Sequence, residues 1–171
     1  MAFVFDPSIS GTASNSFISL SDAEDYFASR FGVDAWDELT DADKQKLLVQ
    51  STYRLNREKF SGLPTTRTQN LSWPRQLLVD VDGLPLSSTS IPKELKWATC
   101  ELALYTLTEV DRLMNDNELE NFASYEIGLI KLQTKYIERD RLPSNVEGLL
   151  KRIGIGAYIS ANSNNISEMS R

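Results

Sequence analysis

The sequence predicts a mainly α protein: a small bundle of four to five helices with a long irregular connector and a short strand or hairpin excursion. Three observations carry that expectation. Apolar residues recur at three- and four-residue spacings in several stretches, and each stretch opens on a residue suited to starting a helix (Ser19 or Ser21, Thr40, Pro92, Pro143). Between the second and third stretches the periodicity is lost amid Gly, Pro and Ser. A chain of 171 residues with 41% apolar content can bury one core, so a single helical domain over 19–156 is expected, between an N-terminal arm (1–18) and a flexible C-terminal tail (157–171).

Along the arm, Pro7, Gly11 and several Ser and Thr residues interrupt any period, while Phe3, Phe5, Phe17 and Ile18 give it side chains that dock. Ser19-x-x-Asp22 and Ser21-x-x-Glu24 are overlapping capping boxes, so the first helix starts at one of these serines, runs to about Arg30 and buries Ala23, Tyr26 and Phe27. A short acidic turn carrying Trp36 follows Gly32. Thr40 then caps a second helix through about Lys59, in which Lys44, Leu48, Ser51, Thr52 and Leu55 form one narrow stripe. Gly62 and Pro64 end it.

Residues 61–90 form the connector. A loop of this length inside a compact domain is packed or functional rather than idle. It contains Trp73-Pro74-Arg75, where the proline ring fixes its own φ and pushes Trp73 toward extended backbone, leaving Arg75 beside the indole face. Trp and Pro in connectors are usually structural, so on its own this reads as a packed corner. Pro92 suits the first turn of the next helix, which continues to about Met114. Leu95, Thr99, Leu102, Ala103, Thr106, Leu107, Val110 and Leu113 cover more than half of its circumference, leaving a polar strip at Glu101, Thr108 and Arg112, as a central bundle helix requires. Over 124–136 the alternation from Ile130 to Tyr136 favours a strand or hairpin, with a helix over 119–139 as the alternative. Pro143 opens a last helix that turns Val146, Leu149, Leu150 and Ile153 inward and stops at Gly154 and Gly156. In 160–171 seven of twelve residues are Ser or Asn, a composition too polar to fold alone.

The chemistry available is narrow. Histidine is absent, which removes the commonest general base and metal ligand together; on this reading zinc sites, Ser-His-Asp triads and Cys-His dyads are excluded. Asp22, Glu24 and Asp25, and then Asp34, Asp37, Glu38, Asp41 and Asp43, sit at helix starts, where carboxylates complement the helix dipole. Gly154-Ile155-Gly156 lacks the third glycine and the strand-turn-helix setting of a phosphate loop. The reading is no enzyme, with no catalytic, cofactor-binding or metal residues. The single cysteine, Cys100, lies in a helical apolar pattern and reads as a core residue. Neither a signal peptide nor a membrane-spanning stretch is evident, so a soluble protein is expected. With 24 acids against 18 bases, a net charge of −6 and a pI near 4.8, the surface repels nucleic acid at long range.

Four blocks carry a resemblance. They are Asn15-Ser16-Phe17-Ile18-Ser19-Leu20 with Ala23, Asp25, Tyr26 and Phe27; Lys46-Leu47-Leu48 with Ser51-Thr52, Leu55-Asn56 and Phe60-Ser61-Gly62; Gln69-x-Leu71-x-Trp73-Pro74-Arg75; and Ile91-Pro92 with Leu95, Ala98 and Cys100-Glu101-Leu102-Ala103-Leu104. In order and spacing they resemble the adaptor proteins of tailed-bacteriophage head-tail connectors, a family also filed under a DnaT-like label. Asn56 stands where that family commonly has an acid, Ser51 where it has Ala and Phe60 where it has Trp. The resemblance covers roughly Asn15 to Leu104.

It implies a virion structural protein, assembled in the host cytoplasm, that forms a ring with copies of itself, commonly twelve, beneath the portal protein and receives a head-closure or tail protein. DNA would pass only as cargo in the channel, and no membrane or cofactor is involved. Candidate interface residues are Trp73, Pro74 and Arg75 in the connector, Ile127 and Lys131 in the excursion, and Ile166 and Met169 in the tail, with Arg75 expected to reach out and bridge subunits. The other function class is a single-stranded DNA-binding protein of DnaT-like type. It predicts exposed aromatics flanked by Lys or Arg, for which Trp73 with Arg75 and Tyr136 with Lys135 are the near matches.

Overall fold

The computed structural model describes residues 3–115 and 142–159, apart from the side chains of 109–115. Five helices fall within them: α1 (Leu20–Ala28), α2 (Asp34–Asp37), α3 (Asp41–Leu55), α4 (Lys93–Asn115) and α5 (Ser144–Lys151). Four two-residue strands accompany them: β1 (Lys59–Phe60), β2 (Leu63–Pro64), β3 (Arg75–Gln76) and β4 (Tyr158–Ile159). The protein is mainly α, as its periodicity predicts. The ambiguous stretch 124–136 and the polar tail from 160 onward lie outside the described residues.

The helix starts follow their local signals. Ser19 Oγ accepts from the Asp22 N–H at 3.1 Å and Thr40 Oγ1 from the Asp43 N–H at 3.3 Å, each relieving one of the backbone donors that a helix start leaves without a partner. α3 stops at Leu55, four residues short of the expected Lys59. The reason lies in the connector. Asn56 Oδ1 accepts the Ser72 N–H at 2.6 Å, and the chain beyond bends away so that Lys59 and Phe60 pair antiparallel with Ile159 and Tyr158.

α4 is buried on two sides, which explains why apolar residues cover most of its circumference. Leu95, Ala98 and Leu102 join Phe17, Leu55, Trp73, Val146, Leu150 and Ile153 in one cluster. Cys100, Ala103 and Leu104 join Ile18, Phe27, Trp36 and Leu48 in another. Glu101 departs from the expected polar strip: it is 7% exposed and binds the Tyr26 hydroxyl at 2.6 Å, Arg30 Nε at 2.7 Å and Asn145 Nδ2 at 2.9 Å. Burial alone would raise its pKa, but these donors outweigh it and hold the carboxylate below its ordinary range. One carboxylate thus ties α1, α4 and the start of α5 together.

The segment expected as an arm is pinned over much of its length. Asn15 Oδ1 accepts from the Asp6 N–H and its Nδ2 donates to Val4 O, while Phe17 N–H donates to the buried Thr52 hydroxyl at 3.1 Å. Ser14, Ser16, Phe17 and Ile18 are buried. At the other end, Ala157 and Tyr158, the first residues of the segment read as a tail, belong to the core.

Candidate functional site: the clamped connector

The motif Gln69-x-Leu71-x-Trp73-Pro74-Arg75 resolves into a brace. Leu71 and Trp73 point into the core, where the Trp73 ring meets Phe60 edge-on at 5.5 Å between centroids. The Trp73–Pro74 peptide is cis and Pro74 is buried. Gln69 Nε2 donates to Leu71 O at 2.7 Å and Pro74 O at 3.1 Å, closing the turn from inside. β3 then pairs with β2, Leu63 opposite Gln76 and Pro64 opposite Arg75.

Arg75 holds the two sides of this brace together. Its Nε donates to Ser61 O at 2.6 Å, Nη1 to Ser72 O at 3.1 Å, and Nη2 to Gly62 O at 2.8 Å and Phe60 O at 3.2 Å. Only a planar, forked cation reaches four carbonyls at once. Among the described residues no carboxylate lies within ion-pair distance of it, and burial lowers its pKa while leaving it cationic. The expectation that Arg75 leaves the corner to reach a neighbouring molecule has to be corrected for the chain as folded here, because four of its donors are committed internally. Trp73, 1% exposed, and Pro74 are likewise inside. Ile127, Lys131, Ile166, Met169 and Tyr136 fall outside the described residues.

Beyond the brace the connector forms a small hairpin. Asp80 Oδ1 accepts the N–H groups of Asp82 and Leu84, the Asp82-Gly83 turn reverses the chain, and Val79 bridges Pro85. Ile155 N–H donates to Val79 O at 3.2 Å, joining the hairpin to the segment after α5. Gly154 is required there: a Cβ on it would collide with Val79 O. The hydrogen-bonded unit presents large apolar side chains to solvent, Leu77 at 80%, Ile155 at 64%, Leu84 at 63%, Val81 at 60% and Leu63 at 54% exposure. Asp80 and Asp82 punctuate them. The Asp82-Gly83 turn is visible in the sequence as Asp-Gly between apolar residues; the exposure of the apolar side chains around it is not.

A second feature lies on α4. Trp97 on α4 is 39% exposed, Lys93 Nζ stands 5.6 Å from its ring centroid, and Lys96 follows one residue before it in sequence. Lys93-x-x-Lys96-Trp97 sets a partly exposed aromatic beside cations, and it escaped the sequence reading because α4 reads as a core helix.

With that geometry in view, the comparisons with known proteins can be stated. A family profile described as "Putative DnaT-like ssDNA binding protein" matches residues 1–165. The chain belongs to this family. The match spans both the brace and the hairpin. No curated protein and no solved structure matches the chain.

Proposed function

We propose that the chain is a structural assembly protein, an adaptor that forms a ring beneath the portal of a phage head and links it to the next connector or tail component. The observation that carries the assembly reading is the hairpin unit: Leu63, Leu77, Val81, Leu84 and Ile155 stand in solvent on backbone that the Arg75 brace and the Gly154 contact hold in place. Exposed apolar side chains on pre-organised backbone suit protein partners, since little ordering entropy remains to oppose docking. The narrower assignment to a portal adaptor rests on the order and spacing of the four sequence blocks between Asn15 and Leu104. The acidic surface is compatible with a channel through which DNA slides without sticking.

A second reading, single-stranded DNA binding, is the one that the family's description favours. Its structural support is Trp97 with Lys93 and Lys96, since bases stack on exposed aromatics flanked by cations. Against it stand the net charge of −6 and the ion pair that Lys96 already makes with Asp22 at 2.7 Å. Mixing the protein with purified portal rings, and separately with labelled oligothymidylate, decides between the two. The adaptor reading expects added ring density on portals by negative-stain microscopy and no oligonucleotide shift. Bare portals together with a shift that salt abolishes would replace it with the second reading.

A further inference from the structure

The groove between α1 and α4 has a composition that the adaptor reading does not use. Asp22, Asp25 and Tyr26 lie at helical spacing on one stripe of α1, and face Lys96 and Trp97 across a cavity of about 490 Å³ floored by Ile18. The Tyr26 and Trp97 rings stand 6.0 Å apart with 34° between their planes, forming an open aromatic wedge. Its charges do not cancel. Lys96 pairs with Asp22, and that pair holds the Asp22 carboxyl below its ordinary range, while Asp25 makes no hydrogen bond or ion pair among the described residues and is exposed. Lys93 Nζ lies 4.0 Å from Glu94 Oε1, at the outer limit of an ion pair. Among the residues lining the groove, Asp25 is therefore a carboxylate with no partner among the described residues, and Trp97 a partly exposed indole.

We infer that this groove is a receptor for an arginine side chain presented by a protein partner. A planar guanidinium suits it on two counts, stacking on the Trp97 face and donating a paired fork to Asp25. The chain itself shows that the Trp97 ring accepts a cation: Lys93 Nζ lies 5.6 Å from its centroid, on a side chain that is 70% exposed. A nucleotide fits less well, because its phosphate would approach Asp25 while the nearer lysine is held by Asp22. The inference does not depend on the adaptor reading, since any arginine-bearing protein partner satisfies it.

The test uses the full chain, uniformly labelled with nitrogen-15, and the indole N–H signals. Trp36 and Trp73 are buried, so Trp97 supplies the responsive indole, assigned with Trp97→Phe. The probes are the capped tripeptide Gly-Arg-Gly, its neutral citrulline counterpart and oligothymidylate. The arginine peptide is expected to shift the Trp97 indole saturably and leave the other two unmoved, with citrulline weaker by about tenfold and Asp25→Asn weaker by several-fold. No saturable shift, equal responses to arginine and citrulline, or full binding by the Asp25→Asn protein each overturns the inference. Saturation of the same signal by oligothymidylate but not by the arginine peptide would make the groove a base-stacking platform instead.

Discussion

Replacing Arg75 by alanine should damage folding before it damages any partner contact. The guanidinium donates to Ser61, Ser72, Gly62 and Phe60 carbonyls, and through them joins the end of α3's strand extension to the Trp-Pro corner. A hydrogen bond to a charged group contributes about 1.5–3 kcal/mol, so four unshared bonds set an upper bound of roughly 6–12 kcal/mol. That bound shrinks for two reasons. Phe60, Ser61, Gly62 and Ser72 are only half-buried, so water replaces part of what is lost, and freeing the long side chain returns about 2 kcal/mol of rotamer entropy. A net loss of about 3 kcal/mol remains, which for a domain of this size corresponds to a fall of roughly 6–12 °C in Tm. Arg75→Lys should recover less than half, because an ammonium cannot span the same four acceptors. Urea unfolding followed by Trp fluorescence, with Tm from calorimetry, measures both. A fall below about 2 °C for Arg75→Ala, with binding to portal rings lost, would refute the clamp and make Arg75 an interface residue.

Other perturbations separate fold from surface. Glu101 has a folded pKa below its ordinary value of 4.5, so its contribution is present above that value and is lost as pH falls through the folded pKa; Glu101→Gln should cost about 1–2 kcal/mol at neutral pH and flatten this acid limb in pH-dependent melts. The figure is held low because Arg30, its main partner, is 39% exposed and can be rehydrated. Gly154→Ala should destabilise by about 1–3 kcal/mol, since the hairpin must shift to admit the methyl group, and proteolysis within 77–86 should accelerate. The double change Leu77→Ser with Leu84→Ser should leave Tm within about 2 °C while weakening portal-ring capture in a pull-down; unaltered capture would place docking elsewhere.

What the sequence settled by itself is the local architecture. Capping residues at Ser19 and Thr40, Pro92 and Pro143 at helix starts and the periodicity of 95–104 depend on neighbours within a few positions, and such signals are written in order along the chain. The need for a rigid step at Trp73-Pro74 was legible for the same reason. What only the tertiary structure decided involves partners far apart. β1 meets β4 across about a hundred residues in two-residue strands too short to show any period. Glu101 reads as solvent-facing until α1 and α5 bring Arg30, Tyr26 and Asn145 to it. Arg75 reads as a free cation until the end of the chain's second long helix delivers the carbonyls of 60–62, and nothing in the periodicity of α4 shows that Trp97 stays partly exposed beside Tyr26. Side-chain charge is a property of the residue, but whether that charge is committed or available is set by which backbone and which carboxylates the fold places within hydrogen-bonding reach.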